Sequence, residues 1–382
     1  MGSEMCIRDS MKTGLVWNEL YAWHDTGNYA GVLQPDPAAF IEPDEHHENP
    51  RTKRRFKNLL DASGFIKELT LIDATHASDE AILRIHDADY IEHLKTLNED
   101  RGGDAGGFSP FAKGGYDIAR LSAGGCLALL KAIMSGDVTN GYALNRPPGH
   151  HALANSGMGF CQLSNGSITA QAAIDDYGLN RVAIVDWDVH HGNGPESIFW
   201  ESPDVLTISV HQDNSFPPNS GPLEAIGEGA GHGCNLNIPL PPGSGRGAYI
   251  ETFDKVVLPA LYKFKPDIIL VASGFDGAGF DPLGRNMLYA EAYGELTTML
   301  MSAAQNLCDG RLLMTHEGGY SPMTVPYCGL KVLETLSGKV SGVVDPVGPM
   351  IAGMGGQALQ PHQAALIEKA AENLAHIPVL SH

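Results

Sequence analysis

The sequence has no long apolar run and few basic residues, and each shortage excludes a class of function. No stretch approaches the roughly 18 consecutive apolar residues of a membrane-spanning helix, so no membrane span is expected. The 25 Lys and Arg residues face 45 Asp and Glu, for a formal net charge of −20. Because nucleic acids and anionic membrane surfaces bind cationic side chains, we expect neither as a partner. A weak general attraction for cationic substrates is expected instead.

Cysteine is also scarce, and the six cysteines include no Cys-x-x-Cys pair. A scattered set in apolar contexts predicts reduced thiols and a cytoplasmic protein. One cysteine lies in the segment 1–10, MGSEMCIRDS, which lacks the apolar core of a secretory signal and differs from the rest of the chain. We therefore expect residues 1–10 to be a non-native or disordered extension, with the natural start at Met11.

The remainder of the chain has the pattern of one α/β domain. Short apolar runs predict buried parallel strands at Val182–Val185, Val205–Val210, Ile268–Ala272 and Leu312–Met314. Amphipathic stretches predict helices at Ile118–Met134, Ile168–Asp176, Tyr249–Phe264, Ala290–Leu307 and Ala364–Leu374. This alternation predicts a parallel sheet covered by helices on both faces. No linker interrupts residues 11–382, so a single domain is expected.

The segment Asp186–Gly194, DWDVHHGNG, places two aspartates and two histidines directly after a predicted buried strand. Buried charges require a partner or a metal ion. Because alternate residues of an extended segment point the same way, the side chains of Asp186, Asp188 and His190 can converge. Carboxylate and imidazole groups are suitable ligands for zinc or another divalent ion. A hydrogen-bonded acidic turn is the alternative.

Asp276 follows a second predicted strand, with glycines at 274, 277 and 279 around it. Glycine permits the close backbone approach that a metal site often needs, so Asp276 is a candidate third ligand. Its alternative role is to cap a turn.

Two further motifs carry groups suited to proton transfer and hydrogen bonding. RPPGHHA, residues 146–152, sets His150 beside His151 in a stiff turn, and paired imidazoles can divide base and electrostatic duties. EGGYSP, residues 317–322, places Tyr320 behind two glycines, where its hydroxyl can project into a cleft. An exposed polar turn and a tyrosine packed on a loop are the respective alternatives.

Together RPPGHHA, MGFC, DWDVHHGNG, SGFDG and EGGYSP resemble class II histone deacetylases and their bacterial deacetylase-like relatives, in order and spacing over nearly all of residues 11–382. The resemblance implies an arginase-like α/β fold with a central parallel sheet of about eight strands. It also implies zinc-dependent hydrolysis of N-acetyl amides, on acetyl-lysine-type substrates. Acetylated polyamines or other small amides are an alternative substrate class, and an inactive acyl-lysine-binding module is a weaker alternative because every catalytic position is filled.

The resemblance assigns roles by position. Asp188, His190 and Asp276 match the zinc ligands, and the catalytic positions are His150, His151 and Tyr320. Asp186 and Asn193 match the groups that support the two imidazoles. A structural potassium ion would be held by Asp186, Ser209 and Val210, with the backbone carbonyls of Asp188 and His190. The walls and mouth of the substrate tunnel match Phe160, Phe216 and Leu283. Bacterial relatives often form dimers or tetramers, so a homo-oligomer is expected.

Overall fold

The computed structural model describes residues 12–379, and an eight-stranded parallel sheet lies at its centre. The predicted extension at residues 1–10 lies outside the described residues. The strands are β1 Thr13–Val16, β2 Thr70–Ile72, β3 Asn140–Ala143, β4 Val182–Asp186, β5 Val205–Gln212, β6 Asn235–Leu240, β7 Ile268–Ser273 and β8 Leu312–His316. Their order across the sheet is β6-β5-β4-β7-β8-β3-β1-β2, and all seven pairings are parallel.

Twelve α-helices accompany these strands in residues 12–379. They are α1 Arg51–Ala62, α2 Asp79–Leu83, α3 Ala88–Glu99, α4 Gly115–Met134, α5 Asn165–Asp175, α6 Asn193–Ile198, α7 Arg246–Thr252, α8 Leu258–Phe264, α9 Ala290–Leu307, α10 Val325–Ser337, α11 Gly348–Ala352 and α12 Pro361–Glu372. A π-helical turn, Phe253–Val257, joins α7 to α8. Short 3₁₀ helices lie at Glu19–Trp23, Pro37–Ala39, Phe65–Glu68, Gly229–Gly231 and Asn373–His376.

Each face of the sheet packs against its own layer of helices. Strand β4 shows how the sequence produces this, because successive side chains point to opposite faces. Ala183 and Val185 join a core with α1, α9 and α10, whereas Val182 and Ile184 join a core with α3, α4 and α5. A strand apolar at every position is therefore buried on both sides, as the continuous apolar run predicts.

The predicted strands and helices are present, with shifted ends. Strands β4, β5, β7 and β8 each run one or two residues beyond their apolar cores, into Asp186, Gln212, Ser273 and His316 respectively. The helix predicted at Tyr249–Phe264 starts earlier, at Arg246, and contains the π-helical turn. No helix in residues 12–379 is long and apolar enough to cross a membrane.

Candidate active site

The chemistry-bearing motifs follow four neighbouring strands, β4, β7, β8 and β3, and so meet at one edge of the sheet. The aspartate-histidine segment follows β4, Asp276 follows β7, the EGGYSP segment follows β8, and the RPPGHHA turn follows β3. Strands β7 and β8 come late in the chain but lie between β3 and β4, so the order of strands reverses there. Open parallel sheets bind ligands at the carboxyl ends of strands around such a reversal.

Asp188, His190 and Asp276 form a buried cluster whose ligand atoms all lie within 4.8 Å of one another. His190 Nδ1 lies 3.0 Å from Asp188 Oδ1 and 3.1 Å from Asp276 Oδ2. Both carboxylates are fully buried. Two anions this close in a water-poor site repel each other unless a cation lies between them or a proton neutralises one.

Two glycines allow this cluster to assemble. A Cβ atom on Gly274 would lie 2.0 Å from Asp188 Oδ2, and one on Gly318 would lie 1.9 Å from Asp276 Oδ2. No side chain fits at either position without displacing a carboxylate. In return, the Gly318 N–H donates a hydrogen bond of 2.8 Å to Asp188 Oδ2.

The cluster fits a divalent cation. Asp276 Oδ1 accepts a hydrogen bond from the Val189 N–H, but Asp276 Oδ2 is buried with no hydrogen-bond donor. Burial and the neighbouring Asp188 carboxylate raise the pKa of Asp276 to about 6. Two carboxylates and one imidazole form a donor set that suits zinc and leaves room for further ligands. A cation would supply the partner that Asp276 Oδ2 lacks.

His150 is bound to a carboxylate. Its Nδ1 atom lies 2.8 Å from Asp186 Oδ2, and its Nε2 atom lies 3.8 Å from Asp188 Oδ1. Burial opposes protonation of this imidazole, but the carboxylates of Asp188 and Asp186 outweigh it and raise the pKa of His150 to about 10. These protein charges therefore favour the protonated, cationic form of His150.

His151 lies against His150, with 4.0 Å between the ring centroids, but its environment is different. Its Nδ1 atom lies 2.7 Å from Oδ1 of Asn193, a neutral amide. Burial, followed by the charges of His150 and His190, holds the pKa of His151 well below its usual range. The two adjacent histidines thus have opposite charge preferences, which separates an electrostatic role from a base role.

Tyr320 lines the cavity above this cluster. Its backbone N–H donates to Asp281 Oδ2 at 2.7 Å, and the preceding Gly319 carbonyl accepts from the Thr52 hydroxyl at 3.0 Å. Burial and the carboxylates of Asp276 and Asp188 raise the pKa of Tyr320 well above its usual range. The tyrosine therefore keeps its proton and remains a hydrogen-bond donor.

A cavity of about 240 Å³ leads to these groups. Its lining is Val32, Phe108, His151, Gly159, Phe160, His190, Ser215, Phe216, Leu283 and Tyr320. The Phe216 ring packs edge-on against His151 at 4.9 Å, and the Phe160 ring packs edge-on against Tyr320 at 5.8 Å. The three tunnel residues predicted from sequence therefore all line this cavity, together with Val32, Phe108 and Ser215, which the sequence motifs do not indicate.

Asp186, Ser209 and Val210, the residues predicted to hold a potassium ion, lie on the adjoining strands β4 and β5. Asp186 pairs with Ser209 in the sheet register. Asp186 Oδ1 accepts from the Asp188 N–H at 2.9 Å, and the Ser209 hydroxyl accepts from the Gly192 N–H at 3.2 Å. The strands bring these residues beside the metal-ligand segment.

The family model described as "Histone deacetylase domain" matches residues 46–336, which include the metal-ligand cluster, both histidines and Tyr320. The chain belongs to the histone deacetylase family. It is a deacetylase, and the family implies a metal cofactor and acyl-amide substrates.

Relatives of this deacetylase cover most of the chain. A histone deacetylase-like amidohydrolase of Pseudomonas aeruginosa is 47% identical over 342 residues, 88% of this chain and 89% of that protein. A probable deacetylase of Archaeoglobus fulgidus is 33% identical over 339 residues, with the same two coverages. The crystal structure of the HDA15 HD domain superimposes with a TM-score of 0.82 at 28% identity, over 95% of this chain and 98% of that one.

Sequence reasoning missed two carboxylates that shape the deacetylase site. Glu317 Oε2 accepts hydrogen bonds from the N–H groups of Gly149 and His150, at 2.7 and 3.0 Å, and so fixes the histidine turn. Asp281 accepts from the N–H groups of Leu283 and Tyr320 and ties the cavity mouth to the tyrosine. Glu317 stands within the EGGYSP motif, and Asp281 lies five residues after Asp276. Their closeness to motif residues is the feature of the sequence that could have indicated a role in the site.

Proposed function

We propose that this deacetylase hydrolyses the N-acetyl amide of a lysine-like amine, with one zinc ion held by Asp188, His190 and Asp276. The proposal is supported by the position of that cluster beside His151, whose pKa burial holds well below its usual range, and by the aromatic-walled cavity that His151 and His190 both line. The cation would act as a Lewis acid toward the acetyl carbonyl and increase the acidity of water.

His151 would act as the base and then as the acid. Water attacks the acetyl carbon, and His151 accepts the proton that this water loses. The C–N bond then breaks, and His151 returns the proton to the departing nitrogen, because a basic amine must be protonated as it leaves. The products are acetate and the protonated amine, because the second proton of the water passes from the new carboxyl group to the basic nitrogen. His150, whose protonated form the carboxylates of Asp188 and Asp186 favour, would stabilise negative charge nearby.

The Tyr320 hydroxyl would donate a hydrogen bond to the acetyl carbonyl oxygen, which becomes negative during attack. The high pKa of this tyrosine keeps the hydroxyl protonated, as a donor must be. Phe160 and Phe216 would enclose the methylene chain of the substrate, since both rings face the cavity. Hydrolysis of acetylated polyamines would use the same steps, and the apolar Leu283 at the cavity favours an uncharged aliphatic chain over a polyamine.

Three further features belong to this proposal. Potassium would bind at Asp186, Ser209 and Val210, with the carbonyls of Asp188 and His190. Residues 11–382 would form one catalytic domain. A homo-oligomer, a dimer or a tetramer, is expected by similarity to bacterial relatives.

A substrate panel on zinc-reconstituted protein tests the proposed function. The panel contains acetyl-lysine peptides with neutral flanking residues, acetylpolyamines and small acetamides, and acetate release gives kcat/KM for each. The proposal expects acetyl-lysine peptides to be hydrolysed at least as efficiently as acetylpolyamines. A strong preference for acetylpolyamines would reject the substrate assignment, and no hydrolysis of any N-acetyl amide would reject the reaction.

A further inference from the structure

A buried cluster of three charged side chains lies behind Tyr320 and has no part in the steps above. Lys53, Glu48 and Arg146 each have a side chain only 1% exposed. The Glu48 carboxylate lies 3.0 Å from Lys53 Nζ and 2.8 Å from a terminal nitrogen of Arg146. Two cations thus share one carboxylate in a site without water access, an arrangement that costs free energy unless it serves a purpose.

The two cations are not equally satisfied. Arg146 also donates to the backbone carbonyls of Tyr21, His24 and Glu48, at 3.0, 2.6 and 3.2 Å. Lys53 has three N–H donors, but within residues 12–379 its ammonium donates only to Glu48. The Lys53 ammonium is therefore the less hydrogen-bonded of the two cations.

The Lys53 ammonium faces the ring of Tyr320. Its Nζ atom lies 5.5 Å from the ring centroid, within the range of a cation–π interaction. The neighbouring Thr52 donates its hydroxyl to the Gly319 carbonyl, which anchors the same helix turn to the tyrosine loop. The Phe160 ring packs edge-on against Tyr320, with 5.8 Å between the ring centroids. The tyrosine ring thus contacts both an aromatic wall of the cavity and a buried cation.

We propose that Lys53 is a positioning residue for Tyr320, whose charge strengthens the tyrosine hydroxyl as a hydrogen-bond donor during hydrolysis. When the hydroxyl donates to a developing oxyanion, electron density on the ring rises, and attraction to a cation at the ring face rises with it. The interaction is then stronger in the transition state than in the ground state, which is the condition for raising kcat. This inference rests on the proposed role of Tyr320 in deacetylation.

Lys53→Met removes the charge and keeps the side-chain length. Glu48 and Arg146 then remain as a neutral pair, so we expect the variant to fold and to bind metal. Only the part of the cation–π interaction gained between the ground and transition states affects kcat, so we expect kcat to fall by a few-fold to at most about 30-fold, the factor for a whole desolvated interaction, with KM little changed. Lys53→Gln, which keeps a hydrogen-bond donor for Glu48 but carries no charge, is expected to lose the same factor. Arg54→Met, one residue along and half-exposed, is the matched control and should keep wild-type kcat.

A double-mutant cycle with Tyr320→Phe distinguishes this role from a structural one. We expect Lys53→Met to lower kcat in the wild-type background. In the Tyr320→Phe background it should change kcat by less than about 2-fold, because no hydroxyl remains whose hydrogen bond the charge could strengthen. An equal loss in both backgrounds, or wild-type kcat in both Lys53 variants, would overturn the inference and leave the proposed function intact. A near-normal rate for Tyr320→Phe alone would instead reject the proposed role of Tyr320.

Discussion

The Nδ1 atom of His151 lies 2.7 Å from Oδ1 of Asn193, while the Asn193 amide nitrogen donates to the His151 carbonyl. An amide oxygen can only accept, so the proton of the neutral imidazole resides on Nδ1 and its Nε2 lone pair is free. His150 has a carboxylate, Asp186, at the equivalent position. The two adjacent histidines thus have different partners at Nδ1, and the amide leaves Nε2 of His151 as the acceptor that the proposed base role requires.

His151→Ala should lower kcat by about 10²- to 10⁴-fold, the usual contribution of a positioned acid–base group. His191→Ala is the matched control, because His191 binds Ser220 and Glu196 and does not line the cavity. The measurement compares the steady-state kcat of the two metal-loaded variants, after their melting temperatures have been shown to be equal. Equal, mild losses at His150, His151 and His191 would contradict the assignment.

Tyr320→Phe deletes one hydroxyl and little volume. If that hydroxyl stabilises the oxyanion, kcat should fall about 10²- to 10³-fold. Metal content and melting temperature should be unchanged, since the tyrosine loop is held through backbone groups by Asp281 and Thr52. A near-normal rate would return Tyr320 to a packing role.

Leu283→Glu places a carboxylate at the mouth of an apolar cavity. We expect it to raise kcat/KM for acetylpolyamines relative to neutral-flanked acetyl-lysine peptides, because the second amine of a polyamine gains a counter-charge. Leu283→Gln, polar but neutral, should leave the ratio near the wild-type value. If both variants alter the ratio equally, polarity or packing rather than charge determines the preference.

Glu48→Gln should reduce the free energy of unfolding at pH 7 by about 3–5 kcal/mol, because it leaves Lys53 and Arg146 buried without their carboxylate. Burial would raise the pKa of Glu48, but Arg146 and Lys53 outweigh it and hold the pKa well below the ordinary 4.5. The carboxylate therefore stabilises the fold above pH 4.5, and this contribution is lost as pH falls through the native pKa.

Denaturant unfolding at pH 7 and at successively lower pH checks this prediction. The difference in the free energy of unfolding between wild type and Glu48→Gln should narrow below pH 4.5, because the Glu48 carboxyl then takes up a proton in the unfolded wild-type chain. Glu19→Gln is the control, because its ion pair with Arg54 is half-exposed and such pairs contribute about 0–1 kcal/mol. A difference that is constant with pH would argue that lost packing, not charge, destabilises the variant.

The sequence predicted the central strands and the metal-ligand candidates for one physical reason. Strands β4 and β7 are buried on both faces, so they are apolar at every position, and charged residues directly beyond them stand out. The strands toward the other edge of the sheet are harder to predict from the sequence. In β1, TGLV, and β3, NGYA, the glycines allow close packing against Leu129 of α4, and Thr13 and Asn140 hydrogen-bond to each other, so no apolar run marks these strands.

Groups that act between distant segments could not be identified from sequence. Glu317 binds the backbone of Gly149, 168 residues away, and nothing local to either residue specifies the contact. Lys53 lies in the basic stretch RTKRR, which is typical of a solvated helix face, yet its side chain is buried. Such positions depend on tertiary packing that brings α1 behind the tyrosine loop.

Metal titration of the chelated protein measures whether hydrolysis depends on a single bound ion. Hydrolysis of an acetyl-lysine peptide, measured while Zn²⁺ is added to metal-free protein, should rise linearly from near zero and level off at about one ion per chain. Asp276→Asn, nearly isosteric, should show no recovery over the same range. A break at two ions per chain would contradict the single-metal site, and full activity of protein that retains no metal after exhaustive chelation would contradict the account as a whole.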